Sequence, residues 1–193
     1  MTLKLHIKSV QFTDDELLQL CKDNEELRIE RNEKQQIVIM APTGFNTGRQ
    51  NIKIGAKLDN WNEDSKLGVV ADSSTGYKLP DGSVRSPDAS WVSLQTWKTI
   101  AEDDKDKFLP TCPEFVVEIL SKSDSLEELK KKMQSTWIAN GTKLAWLIDS
   151  KSKRTFIYRA NGSIEIMEGF DKKLSGEDIL EGFEFDLSWL KDI

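Results

Sequence analysis

The sequence predicts an α/β domain in which a mixed β-sheet is flanked by a few helices. Short runs rich in β-branched and aromatic residues recur as strands, among them QQIVIMA (35–41), EFVVEIL (114–120), KLAWLID (143–149) and RTFIYRA (154–160). Helical periodicity lies between them, most plainly in SDSLEELKKKMQSTWIANG (123–141), where Leu126, Leu129, Met133 and Trp137 make one apolar stripe. No repeat, low-complexity tract or Pro/Ser-rich linker interrupts the 193 residues, a length that suits one domain with a substantial core. A single domain is therefore expected over 1–193, with its core at about 12–190.

The elements follow in order. Thr13-Asp14-Asp15-Glu16 has the capping-box pattern and opens a helix over about 13–24. LRIER and QQIVIMA read as two strands joined by the polar turn Asn32-Glu33-Lys34. PTGFNTG is loop by composition, and a helix is expected from about 48 to 62, with Ile54, Leu58 and Trp61 on one face. LGVVADSS is a strand, and GYKLPDGSVR a hairpin closed around Asp81-Gly82. SPDASWV is a strand, LQTWKTIAE holds a short helix, and EFVVEIL is bounded by Pro113 and Ser121. Ser125 and Glu128 can box the start of the lysine-rich helix, which Asn140-Gly141 ends. KLAWLID, RTFIYRA and SIEIMEG close the fold as strands, the last two joined by Asn161-Gly162.

Composition narrows the function. Apolar residues at 38%, with six Trp and eight Phe, mark a globular chain. Apolar runs such as LAWLI fall far short of the roughly 20 residues of a spanning helix, and MTLKLHIKSV lacks an apolar core of signal-peptide length. An intracellular, cytoplasmic protein without a membrane partner is expected. Cys21 and Cys112 have no paired spacing, so neither a disulfide scaffold nor a zinc site is expected. The only histidine, His6, lies in an N-terminal segment expected to fray, which removes most histidine-based nucleophile chemistry. A net charge of −6 argues against loose, charge-driven nucleic-acid binding, though not against a local basic surface around an acidic centre.

Two carboxylates stand out. Alternation in EFVVEIL puts Val116, Glu118 and Leu120 on one face, and Phe115, Val117 and Ile119 on the other. A strand apolar on both faces is interior to a covered sheet, where an unpaired carboxylate costs several kcal/mol or becomes neutral. A metal or lysine beside Glu118 would remove that difficulty; an edge strand with Glu118 in water is the alternative. Asp88 follows Pro87 in a common turn opening. Two acids at the ends of neighbouring strands can together hold one hard cation such as Mg²⁺. On the following helix Lys131 points away from the apolar stripe, whereas Lys130 and Lys132 flank it on opposite sides and either could reach over the sheet. Arg49, Lys53 and Lys57 recur at four-residue intervals as a basic stripe, read either as a phosphate contact or as a solvated face. Together these groups suit metal-assisted phosphodiester hydrolysis, with the cation and lysine offsetting charge on the attacked phosphate.

The order IERNEKQQIVIMAPTG, LPDGSVRSPDASWV, CPEFVVEILSKSDSLEELKKKM, NGTKLAWLID and IYRANG resembles the Uma-two family of restriction-endonuclease-like proteins, a branch of the PD-(D/E)XK nuclease superfamily. The likeness runs from about residue 12 to EGFEFDLSWL. It implies a restriction-endonuclease-like core and Mg²⁺- or Mn²⁺-dependent cleavage of DNA. It puts the metal-binding acids at Asp88 and Glu118, the lysine at Lys132 and a further acid at Glu30. In the wider superfamily the lysine sits two residues after the second acid; here that position is Leu120, and the Uma-two pattern draws its lysine from the following helix. Members often carry Glu or His where this chain has Asn46 or Asn51, and the helix is one residue longer here between Met133 and Trp137. A homodimer would match a two-fold DNA site. The rival expectation is a catalytically inactive nuclease fold that binds nucleic acid or assembles with partners.

Overall fold

A computed structural model describes residues 12–191 together with the backbone strand β1 (Thr2–Leu5). From there the chain runs through α1 (Asp14–Asp23), β2 (Arg28–Arg31), β3 (Ile37–Met40), α2 (Phe45–Ser65), β4 (Gly68–Ala71), β5 (Tyr77–Lys78), β6 (Val84–Arg85) and β7 (Ala89–Ser93). The second half comprises α3 (Leu94–Trp97), β8 (Phe115–Ile119), α4 (Leu126–Lys132), β9 (Leu144–Asp149), β10 (Arg154–Arg159), β11 (Ile164–Glu168), β12 (Lys173–Ser175) and β13 (Glu184–Asp186).

The mixed sheet has the order β11-β10-β9-β8-β7-β4, with β8 and β9 parallel and the other pairs antiparallel. All five positions of β8 are buried. It is an interior strand, so the edge-strand alternative for Glu118 falls. Its two faces divide as alternation predicts. Phe115, Val117 and Ile119 pack with Ile54 and Leu58 of α2 and with Phe183 and Phe185 near the C-terminus. Val116 packs on the other face with Met133, Trp137 and Tyr77. The sheet is thus sandwiched between α2 and the lysine-rich helix.

Several features exceed the sequence reading. A second, five-stranded antiparallel sheet of order β1-β3-β2-β6-β5 stands beside the first. β1 pairs with β3 where a frayed segment was expected, and His6 lies outside the described residues. Helix α2 begins at Phe45 rather than near 48, because Gly44 serves as its N-cap without a side-chain hydrogen bond. The small polar residues there carry no capping signal. β12 and β13 form a separate hairpin that the sequence reading lacked. The lysine-rich helix turns into a π-helix over Met133–Ile138. Among the described residues no helix is long and apolar enough to cross a membrane.

Where β6 ends, Ser86-Pro87-Asp88 carries the chain from one sheet into β7 of the other. Asp88 therefore sits at the junction of the two sheets. The core that fixes this junction is aromatic: Phe115 is fully buried, with its ring edge-on to Trp146 at 4.8 Å and to Phe183 at 6.4 Å. Phe115→Ala is expected to lower unfolding free energy by about 3–5 kcal/mol. Urea denaturation followed by circular dichroism checks this, and a change below about 1 kcal/mol would mean that β8 is not the centre of the core.

Candidate active site

β7 and β8 pair with Ala89 opposite Val117, and the Asp88 amide donates to the Val117 carbonyl at 3.0 Å. One step further along this antiparallel register Asp88 stands opposite Glu118, and side chains opposite each other project from the same face. Asp88 is held from three sides. Its Oδ2 accepts from the Ile119 amide at 2.8 Å, its Oδ1 accepts from Asn51 Nδ2 at 3.0 Å, and Arg28 Nη1 lies 3.7 Å from Oδ1. Glu118 is 5% exposed. Its Oε1 accepts from Lys132 Nζ at 2.7 Å and from Trp137 Nε1 at 2.8 Å.

Lys132 and Trp137 reach one carboxylate because of the π-turn. Residues five apart on an α-helix point about 140° apart, and i→i+5 bonding narrows that separation. The wider turn spans Met133–Ile138 and holds Trp137 near its end. Glu30 arrives from β2, in the other sheet. It accepts from the Ser86 amide at 3.0 Å and from Arg85 Nη1 at 3.1 Å, and its Oε1 lies 4.0 Å from Lys132 Nζ. Three carboxylates, Glu30, Asp88 and Glu118, thus face three cations, Arg28, Arg85 and Lys132.

The balance differs from site to site. Burial opposes ionisation of Glu30, but Lys132, Arg85 and Arg28 together outweigh it and hold the carboxyl below its usual range. At Glu118 burial dominates, Lys132 offsets part of it, and the Asp88 charge adds to it, so this carboxyl is pushed up. Burial also works against the Lys132 ammonium, yet Glu118 and Glu30 more than compensate and raise its pKa.

The site opens into a cleft of about 730 Å³ lined by both sheets, the start of α2 and α4. Asn46 lines it, and Asn51 reaches Asp88 from the same helix. Leu120 follows β8 and carries no charge toward the acids. Lys130 turns away, pairing with Glu127 at 2.8 Å and lying 4.9 Å from the centre of the Phe156 ring. Lys53 donates to the Trp189 carbonyl, and Lys57 lies 3.9 Å over the Trp189 ring. The basic stripe of Arg49, Lys53 and Lys57 does not line the cleft, and two of its three members, Lys53 and Lys57, tie down the C-terminal segment. Sequence reasoning missed Arg28, Arg85 and the indole of Trp137. Trp137 had a signal: a Trp in the stripe that faces Glu118 needs an acceptor for its N–H.

Oxygen donors suited to a hard cation are present. Glu118 Oε2 has no hydrogen-bond partner among the described residues, whereas Asn51 Oδ1 is buried without one. Among the described residues no three His, Cys, Asp or Glu side chains converge as ligands of one ion. Asp88 and Glu118 offer two carboxylates, and a hard cation such as Mg²⁺ takes one or two carboxylates and completes its shell from water or phosphate.

Residues 14–188 match the family described as "Uma2: Putative restriction endonuclease". The chain belongs to the Uma2 family. A solved structure described as a putative nuclease belonging to DUF820, from Anabaena variabilis ATCC 29413, shares its fold with a TM-score of 0.75. The two are 19% identical, and the match covers 93% of this chain and 99% of the other. No curated protein matches the sequence. Uma2 membership supports a nuclease, and the shared fold is restriction-endonuclease-like, as expected.

A depressed carboxyl stabilises the fold above its unfolded pKa, and that contribution is lost as pH falls through the folded value. In the metal-free Uma2 protein, Glu30→Gln is expected to lower stability at pH 7 by roughly 1–3 kcal/mol. The difference from wild type should shrink as pH falls below the ordinary glutamate range of about 4.3 and through the lower folded value of Glu30. Denaturant titrations at pH 7 and pH 3 in EDTA check this; a deficit that stays constant across the two would contradict the charge argument.

Proposed function

We propose that this Uma2 protein is a Mg²⁺- or Mn²⁺-dependent DNA endonuclease in which Asp88 and Glu118 hold the ion, Lys132 acts on the phosphate and Glu30 assists. The observation that carries this reading is the convergence of Lys132 Nζ on Glu118 at 2.7 Å, beside an opposed Asp88, at the floor of an open cleft. When bound, the ion would supply positive charge to the phosphodiester and make a water a better nucleophile.

The chain's own groups divide the remaining work. Asp88 is fixed by the Ile119 amide and Asn51, so its carboxylate is oriented before any ligand arrives. Glu118 keeps Oε2 available while Trp137 and Lys132 hold Oε1. Lys132, with its charged form favoured, can shift its ammonium from Glu118 towards a phosphate oxygen and stabilise the charge that grows there. Glu30 is paired with Arg85 and keeps the ammonium within reach of the site. DNA would enter along the cleft, and a homodimer would let two clefts address both strands.

A second reading has its own support. The three acids are already balanced by Arg28, Arg85 and Lys132 without an added ion. A catalytically inactive module that binds nucleic acid would use the same cleft.

Supercoiled plasmid incubated with Mg²⁺ or Mn²⁺ separates the two. The nuclease reading expects nicking that disappears with EDTA and with Asp88→Ala or Glu118→Ala. Lys132→Met is expected to slow nicking by about 10²–10³-fold. Absence of metal-dependent nicking, or equal nicking by Glu118→Ala, would remove this reading, and DNA binding that survives Asp88→Ala without nicking would favour the second.

A further inference from the structure

Phe45 is 85% exposed, although the same helix buries Ile54 and Leu58 in the core. It opens α2 directly after Gly44, so a helix and not a loop holds its backbone. The ring lines the carboxylate cleft. Asn51, which touches Asp88, lies further along the same helix, about 9 Å away at 1.5 Å per residue. That separation is about two or three base steps at 3.4 Å each. Lys34, Lys122 and Lys131 line the same cleft, are exposed, and form no ion pair among the described residues.

The geometry points to Phe45 as a stacking platform for an unpaired nucleobase, with neighbouring phosphates against Lys34, Lys122 and Lys131. The inference rests on the nuclease reading and names its substrate form: DNA with an unpaired base, as in a single strand or a bubble, ahead of continuous duplex. Lysines alone bind the backbone of any nucleic acid. An aromatic ring adds discrimination, because a base presents a free π-face only when it leaves the duplex stack, and such stacking tolerates any base. Ile52, 70% exposed, shares the helix face of Phe45 but does not line the cleft. An apolar contact between two copies of the chain would use both side chains, whereas base stacking in the cleft uses Phe45 alone.

The test is fluorescence anisotropy with a short labelled single strand, with Ca²⁺ replacing Mg²⁺. Phe45→Ala should weaken binding by about 5- to 150-fold (about 1–3 kcal/mol), while Phe45→Trp and Ile52→Ser bind as wild type does. The loss on matched duplex should be smaller. Undiminished binding by Phe45→Ala, with wild type binding well, overturns the stacking role and leaves the nuclease reading standing. Equal losses in Phe45→Ala and Ile52→Ser, with a dimer dissociating in sedimentation velocity, overturn it in favour of self-association. Wild type binding no DNA at all would take both readings down together.

Discussion

Antiparallel pairing between β7 and β8 places Asp88 and Glu118 side by side, and at Glu118 burial, with the Asp88 charge adding to it, opposes ionisation. The surrounding structure offsets that cost group by group. Arg28 and Asn51 face Asp88, Lys132 and the Trp137 indole face Glu118, and Glu30 with Arg85 surrounds the lysine. Unequal compensation leaves Glu118 with its carboxyl pushed up and Glu30 with its carboxyl held down. A cation in the cleft would favour the ionised form of Glu118, which the protein alone stabilises only in part.

The fold supplies the rigidity that such an arrangement needs. β8 is anchored on both faces by aromatic and branched side chains, so the acid it carries has little freedom to move away from its neighbour. Helix α2 serves two purposes along one length: Ile54 and Leu58 hold it to the sheet, while Asn51 and Phe45 reach the site and its rim. The π-turn after α4 does similar work on the opposite face, trading regular helical bonding for a geometry in which Lys132 and Trp137 meet at Glu118.

Local pattern made much of this legible. Alternation in EFVVEIL predicted both faces of β8, and Asp81-Gly82 and Asn161-Gly162 placed their hairpins correctly. What escaped depended on contacts between residues distant in sequence. The contacts of Lys53 and Lys57 with Trp189 have no local signal, because nothing near them in sequence announces that partner. Helical facing alone left Lys130 and Lys132 equivalent, and only the packed helix separates them, sending Lys130 to Glu127 and Phe156. Arg28 and Arg85 sit on short strands of a second sheet whose position the sequence does not encode locally. The start of α2 was hidden by Gly44, Asn46 and Thr47, residues that read as loop although they begin a helix.

The central claim is that Asp88 and Glu118 form one cation site. Anomalous diffraction from a crystal soaked in Mn²⁺ tests it most directly. The account predicts a single strong peak between the two carboxylates, with an oxygen of each at about 2.1 Å, and Lys132 still within reach of Glu118. A peak elsewhere, or none at these acids under saturating Mn²⁺, would contradict it.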